Sequence, residues 1–138
     1  MTNARVVWEE KGQFIGTGDT RHLIVMSGLE GESAGGVTPS ELLLISLGGC
    51  TAVGIVSILT KKRQPLSQLE IEIEGQQDAG PPWAYRKVNL NFRVRGRGLT
   101  EAGVRQAIAL SEQRYCPVAA SLRPTVEIET SFEILPEE

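Results

Sequence analysis

Residues 38–63 read TPSELLLISLGGCTAVGIVSILTKKR, and no charge falls between Leu42 and Thr60. Thr38-Pro39-Ser40-Glu41 has the form of a helix start. The Thr38 hydroxyl suits the N–H of Glu41, the Glu41 carboxylate suits the N–H of Thr38, and Pro39 at the first helical position needs no donor. Lys61, Lys62 and Arg63 suit the negative end of the helix dipole, and Pro65 stops the helix. A helix apolar on every side either crosses a membrane or is buried in a soluble fold. The segment is single and mid-chain, its flanks alternate like strands, and it is rich in small residues, Ser46, Gly48, Gly49, Thr51, Ala52, Gly54 and Ser57 among them. Gly48 and Gly49 each cost a helix interior roughly 1 kcal/mol relative to Ala, which implies close approach of another backbone beside Cys50. These features favour a buried helix with a thiol at its centre and no membrane.

Working outward, the N-terminal side carries three short strand patterns, Arg5 to Glu9, Gln13 to Gly18 and His22 to Ser27, with a turn at Lys11-Gly12. The glycine-rich Leu29 to Val37 segment, including the Gly31–Gly36 stretch, reads as a loop into the helix. On the C-terminal side, Leu66 to Gly75 alternates Leu69, Ile71 and Ile73 with Glu70, Glu72 and Glu74. Arg86 to Arg95 alternates Val88, Leu90, Phe92 and Val94 with Asn89, Asn91, Arg93 and Arg95. An acidic outer row beside a basic one favours antiparallel pairing. Thr100 caps a helix over Glu101 to Arg114. Pro117 ends it, because the residue before a proline leaves the α region, and starts a short helix to Leu122 with Cys116 as its N-cap. Thr125 to Leu135 is a last strand. The order of three strands, helix, two strands, helix pair and strand gives an α+β fold. Its mainly antiparallel sheet packs on the long helix and the helix pair.

Bulk properties narrow the function. The 138 residues suffice for a single domain, 1–138, with a core that needs no disulfide staple. A net charge of −3 with no basic block beyond Lys61–Arg63 disfavours nucleic acid as a partner. The start of the chain lacks the basic-then-apolar layout of a signal peptide, which implies a cytoplasmic location. Two cysteines in a reducing compartment point to redox or catalytic use. His22, Cys50 and Cys116 are the N/S donors and do not stand at metal-ligand spacing, so no metal is expected.

Cys50 alone is compatible with a small apolar core residue, and His22 with an ordinary strand residue. Cys116 is more pointed. A thiol at a helix N-terminus feels the positive end of the dipole, which lowers its pKa, and Arg114 stands nearby to assist. A buried thiol and a second at a helix end fit a peroxide-reducing pair: one thiolate is oxidised to a sulfenic acid, and the other condenses with it to a disulfide.

The run Gly35-Gly36-Val37-Thr38-Pro39-Ser40-Glu41-Leu42-Leu43-Leu44, with Gly48-Gly49-Cys50-Thr51, resembles the central-helix signature of the OsmC/Ohr superfamily. Tyr115-Cys116-Pro117-Val118 resembles its second cysteine motif. The resemblance implies an intertwined homodimer that reduces organic hydroperoxides, with Cys50 peroxidatic and Cys116 resolving. It implies no metal or organic cofactor, and a dithiol reductant such as dihydrolipoamide. Peroxidase branches carry Pro-Glu at the helix start, with the Glu paired to an Arg from an N-terminal Gly-Gly-Arg turn. Here those places read Pro39-Ser40 and Glu10-Lys11-Gly12-Gln13, which is closer to the YhfA-like branch. Glu41 and Arg21 are the candidate stand-ins, with Arg5 a further source of the cation, and Leu43 and Leu47 are the expected walls of an apolar pocket beside Cys50. The alternative is a non-catalytic or redox-sensing dimer that binds a small apolar ligand.

Overall fold

The structure, a computed structural model, describes residues 1–9, 11–28 and 35–137. The chain forms two compact units, Met1–Leu43 and Leu44–Glu138. Most of the glycine-rich segment expected as a loop, residues 29–34, lies outside the described residues.

The first unit is an antiparallel meander of β1 (Ala4–Trp8), β2 (Gln13–Gly18) and β3 (Leu23–Ser27), paired in the order β1-β2-β3. Its registers run from Ala4↔Gly18 to Trp8↔Phe14 and from Gln13↔Ser27 to Thr17↔Leu23. Lys11 and Gly12 turn the first hairpin with φ of 54° and 78°. A parallel bridge ties Val37 to Met26, and Ser27 N–H donates to the Val37 carbonyl at 2.8 Å.

Helix α1 (Pro39–Lys61) opens with the reciprocal cap that its sequence implies. Glu41 N–H donates to Thr38 Oγ1 at 3.2 Å, and Thr38 N–H donates to Glu41 Oε2 at 3.1 Å. The helix closes at Lys61, short of the expected Arg63. Arg63 turns left-handed at φ 61°, and Gln64 N–H reaches back to the Leu59 carbonyl at 2.9 Å. By length and composition α1 could cross a membrane. Here it packs in a core: Leu47, Thr51, Ile55 and Leu59, one every four residues, form a fully buried stripe.

In the second unit that stripe meets a sheet ordered β4-β5-β6, from β4 (Leu66–Gln77), β5 (Tyr85–Gly96) and β6 (Glu127–Ile134). Val88, Leu90, Phe92 and Val94 of β5 are buried and form the centre of the core. β4 and β5 pair antiparallel, and the charge rows meet as expected: Arg93 bonds Glu72 at 2.7 Å and lies 3.6 Å from Glu70. β6 runs parallel to β5, because helices α2 (Glu101–Leu110) and α3 (Pro117–Leu122) carry the chain back between them. The helix expected over Glu101–Arg114 instead stops at Leu110 and widens into a single π-helical turn, Ser111–Tyr115.

Gly48 has a different reason from the one its sequence implies. A Cβ there would collide with the Cδ1 of Ile73, so a side chain from β4 approaches, not a backbone.

Candidate active site

The face of α1 next to the buried stripe carries Cys50, Val53, Gly54, Ser57, Ile58 and Lys61. They line a cavity of about 770 Å³ together with Lys62, Leu110, Tyr115 and Pro117. Every wall belongs to the second unit. Relative to Cys50 the α1 walls stand at i+3, i+4, i+7, i+8 and i+11, one helical face toward the C-terminus. That spacing was available in the sequence and would have found them.

Cys116 ends the π-helical turn in an extended conformation, φ −93° and ψ 106°, and caps α3. Pro117 enforces this: it disfavours α geometry at Cys116 and supplies a ready first turn. The Cys116 sulfur accepts the N–H of Ala119 at 3.3 Å, and the residue is 3 % exposed.

The two thiols are close enough for Cys50 to act on the titration of Cys116, and neither is in a disulfide. Burial, followed by the adjacent Cys50 thiol, pushes the Cys116 pKa above the ordinary thiol value. The N–H groups of Ala119 and Val118 pull the other way. The expected lowering is therefore overturned. The helix end does help the thiolate, but α3 is short, and desolvation outweighs two backbone donors. Arg114 lies over the ring of Tyr115, 5.9 Å from its centroid, where a cation–π contact occupies it.

The remaining sequence candidates fall in other places. Leu47 belongs to the buried stripe and faces the core, not the cavity. Glu41, Arg21 and Leu43 belong to the first unit. The Glu41 carboxylate holds the Thr38 N–H, as a helix cap does. Arg21 is exposed, with its N–H on the Gly18 carbonyl at 3.0 Å in the turn before β3, and its backbone is left-handed at φ 63°. Leu43 is partly exposed and His22 is exposed. Among the described residues no three His, Cys, Asp or Glu side chains converge as metal ligands.

A thiol lining a largely apolar cavity, with a second thiol buried beside it, can carry out dithiol–disulfide chemistry on an apolar partner. Comparison with known proteins narrows the family. Residues 31–131 match the family described as OsmC-like protein. Protein YhfA of Escherichia coli K12 is 38% identical over 132 residues, covering 96% of this chain and 97% of that protein. The OsmC-like protein of Mycoplasma pneumoniae superposes with a TM-score of 0.87 at 18% identity, covering 99% of this chain and 98% of that one. An organic hydroperoxide resistance protein OsmC of Legionella pneumophila superposes with a TM-score of 0.67 at 14% identity, covering 96% of each chain, and shares the fold. With its central helix, second cysteine turn and mixed sheet all accounted for, the chain belongs to the OsmC-like protein family.

Proposed function

We propose that this protein is a thiol-dependent reductase of organic hydroperoxides, acting in the cytoplasm in oxidative stress defence. The observation that carries the reading is a Cys50 thiol that lines a largely apolar cavity with the buried Cys116 thiol beside it. In the first step the Cys50 thiolate attacks a peroxide oxygen. An S–O bond forms, the O–O bond breaks, and the departing alkoxide takes a proton to leave as the alcohol. In the second step Cys116 sulfur attacks the Cys50 sulfenic acid, an S–S bond forms and water departs. A dithiol such as dihydrolipoamide then reduces the disulfide by exchange and is itself oxidised.

The cavity walls favour an alkyl tail. Val53, Ile58, Leu110 and Pro117 offer it an apolar surface, at roughly 0.8 kcal/mol per buried CH₂. Hydrogen peroxide has no tail and gains nothing from that wall. The matched test is consumption of cumene hydroperoxide and of hydrogen peroxide, with dihydrolipoamide as reductant. Faster turnover of the organic peroxide, lost in Cys50→Ser, supports the reading; equal consumption by wild type and Cys50→Ser refutes it.

The working unit in this reading is a homodimer. Val53 is 73% exposed and Ile45 51% exposed on α1 of the single chain. A second copy is the partner that the family resemblance implies for that face, and removing such apolar surface from water is the main drive of association.

A further inference from the structure

The two cysteines come from elements far apart in the sequence, and a buried hydrogen bond joins those elements one residue from Cys50. Ser111 Oγ donates to the Thr51 carbonyl at 2.8 Å. Both residues are buried, Ser111 at 1% exposure and Thr51 at 0%. The Thr51 hydroxyl is spent inside α1, on the carbonyls of Leu47 at 3.1 Å and Gly48 at 3.0 Å, so it is the backbone oxygen that receives Ser111. Gly54 makes room for the contact: a Cβ there would overlap the Ser111 hydroxyl and lie 2.9 Å from the Ser111 Cβ.

Ser111 is also the first residue of the π-helical turn that delivers Cys116. A π turn holds one more residue than an α turn, so it rotates the residues beyond it by about 100° about the helix axis. The next residue, Glu112, is held by a different element. Arg123, at the end of α3, donates to the Glu112 carbonyl at 2.6 Å and to its carboxylate at 3.0 Å. The turn is thus pinned to α1 by Ser111 and to the far end of α3 by Glu112, and Cys116 lies within the segment that the Glu112–Arg123 contact closes.

We propose that Ser111 is a positioning residue for the thiol pair: its bond to Thr51 holds the π-helical turn in the register that keeps the Cys116 sulfur at Cys50. This rests on the reading of Cys50 and Cys116 as a redox pair. The latch acts on closure of the disulfide and not on the first oxidation of Cys50, because Ser111 fixes the approach of Cys116 alone.

The test separates the two steps in the intact protein. Wild type, Ser111→Ala, Gly54→Ala and, as a control, Val104→Ala are oxidised with cumene hydroperoxide and, in a second arm, with diamide. Diamide forms an adduct with one thiol and leaves as the hydrazine when the second thiol closes the disulfide. Val104 is a buried α2 residue outside the latch, so it reports general loosening. Ser111→Ala is expected to lose its first thiol at the wild-type rate and to close the disulfide about tenfold more slowly, the scale of one lost buried hydrogen bond. With the peroxide, a dimedone-trappable sulfenic acid at Cys50 should outlast that of wild type. Gly54 also lines the cavity, so Gly54→Ala is read only for disulfide closure with diamide, which should slow alike and decides the matter if Ser111→Ala does not fold, while Val104→Ala should close at the wild-type rate. Wild-type closure in both latch variants with diamide, or equal slowing in Val104→Ala, overturns the proposal. If cumene hydroperoxide spares Cys50 in wild type, the peroxidase reading fails, while diamide still reads the latch.

Discussion

The Cys116 sulfur accepts the backbone N–H of Ala119 at 3.3 Å and yet keeps its proton to higher pH than a free thiol. The donor stabilises the thiolate, while burial and the adjacent Cys50 disfavour it, and the latter effects are larger. The folded chain holds this proton where the unfolded chain has released it, so unfolding releases a proton in the window above the free-thiol pKa of about 8.5. The resulting contribution to stability is complete below the window and is lost as pH rises through the raised value. Urea unfolding of wild type should weaken across this alkaline window more than that of Cys116→Ala. Identical pH profiles for the two would contradict the assignment.

Gly48 and Ile73 form a second coupled pair. Gly48→Ala gains up to about 1 kcal/mol of helix propensity but drives the new methyl into Ile73 Cδ1. Overpacking of this kind costs about 1–3 kcal/mol, so a net loss of stability is expected. Ile73→Val removes the colliding atom. The double variant should therefore lose less than the two single losses added, with a coupling of about 0.5–3 kcal/mol in a double-mutant cycle. Strict additivity would mean that the close approach has no energetic weight.

Much of this architecture comes from local chemistry. Thr38, Pro39 and Glu41 announce the start of α1 because a cap needs only neighbours in the chain. The rows of Glu70 and Glu72 and of Arg93 announce β4 and β5 because alternation is a two-residue property. Features that depend on distant partners were not legible. Sequence spacing leaves Glu101–Arg114 as one helix, whereas Ser111 opens a π turn and bonds Thr51, a residue far upstream. The raised pKa of Cys116 depends on burial that the dipole argument omits. Leu47 reads as a pocket wall from its nearness to Cys50, but the i+4 stripe it shares with Thr51, Ile55 and Leu59 turns it into the core.

The exposed apolar face of α1 predicts self-association. A chain of 15.0 kDa should sediment as twice that mass at micromolar concentration. Ile45→Glu places a charge on that face, outside the Cys50 cavity, and should shift the protein toward monomer or insolubility. A folded, soluble wild-type monomer at the same concentration would contradict the homodimer.

The most direct test of the central claim is single-turnover oxidation by cumene hydroperoxide without added reductant, in wild type, Cys50→Ser and Cys116→Ser. The account predicts an asymmetry. Cys50→Ser consumes no peroxide above background. Cys116→Ser consumes one equivalent, leaves a trappable sulfenic acid at Cys50 and then stalls. Wild type consumes one equivalent and ends as the Cys50–Cys116 disulfide. Equal consumption by wild type and Cys50→Ser would contradict it.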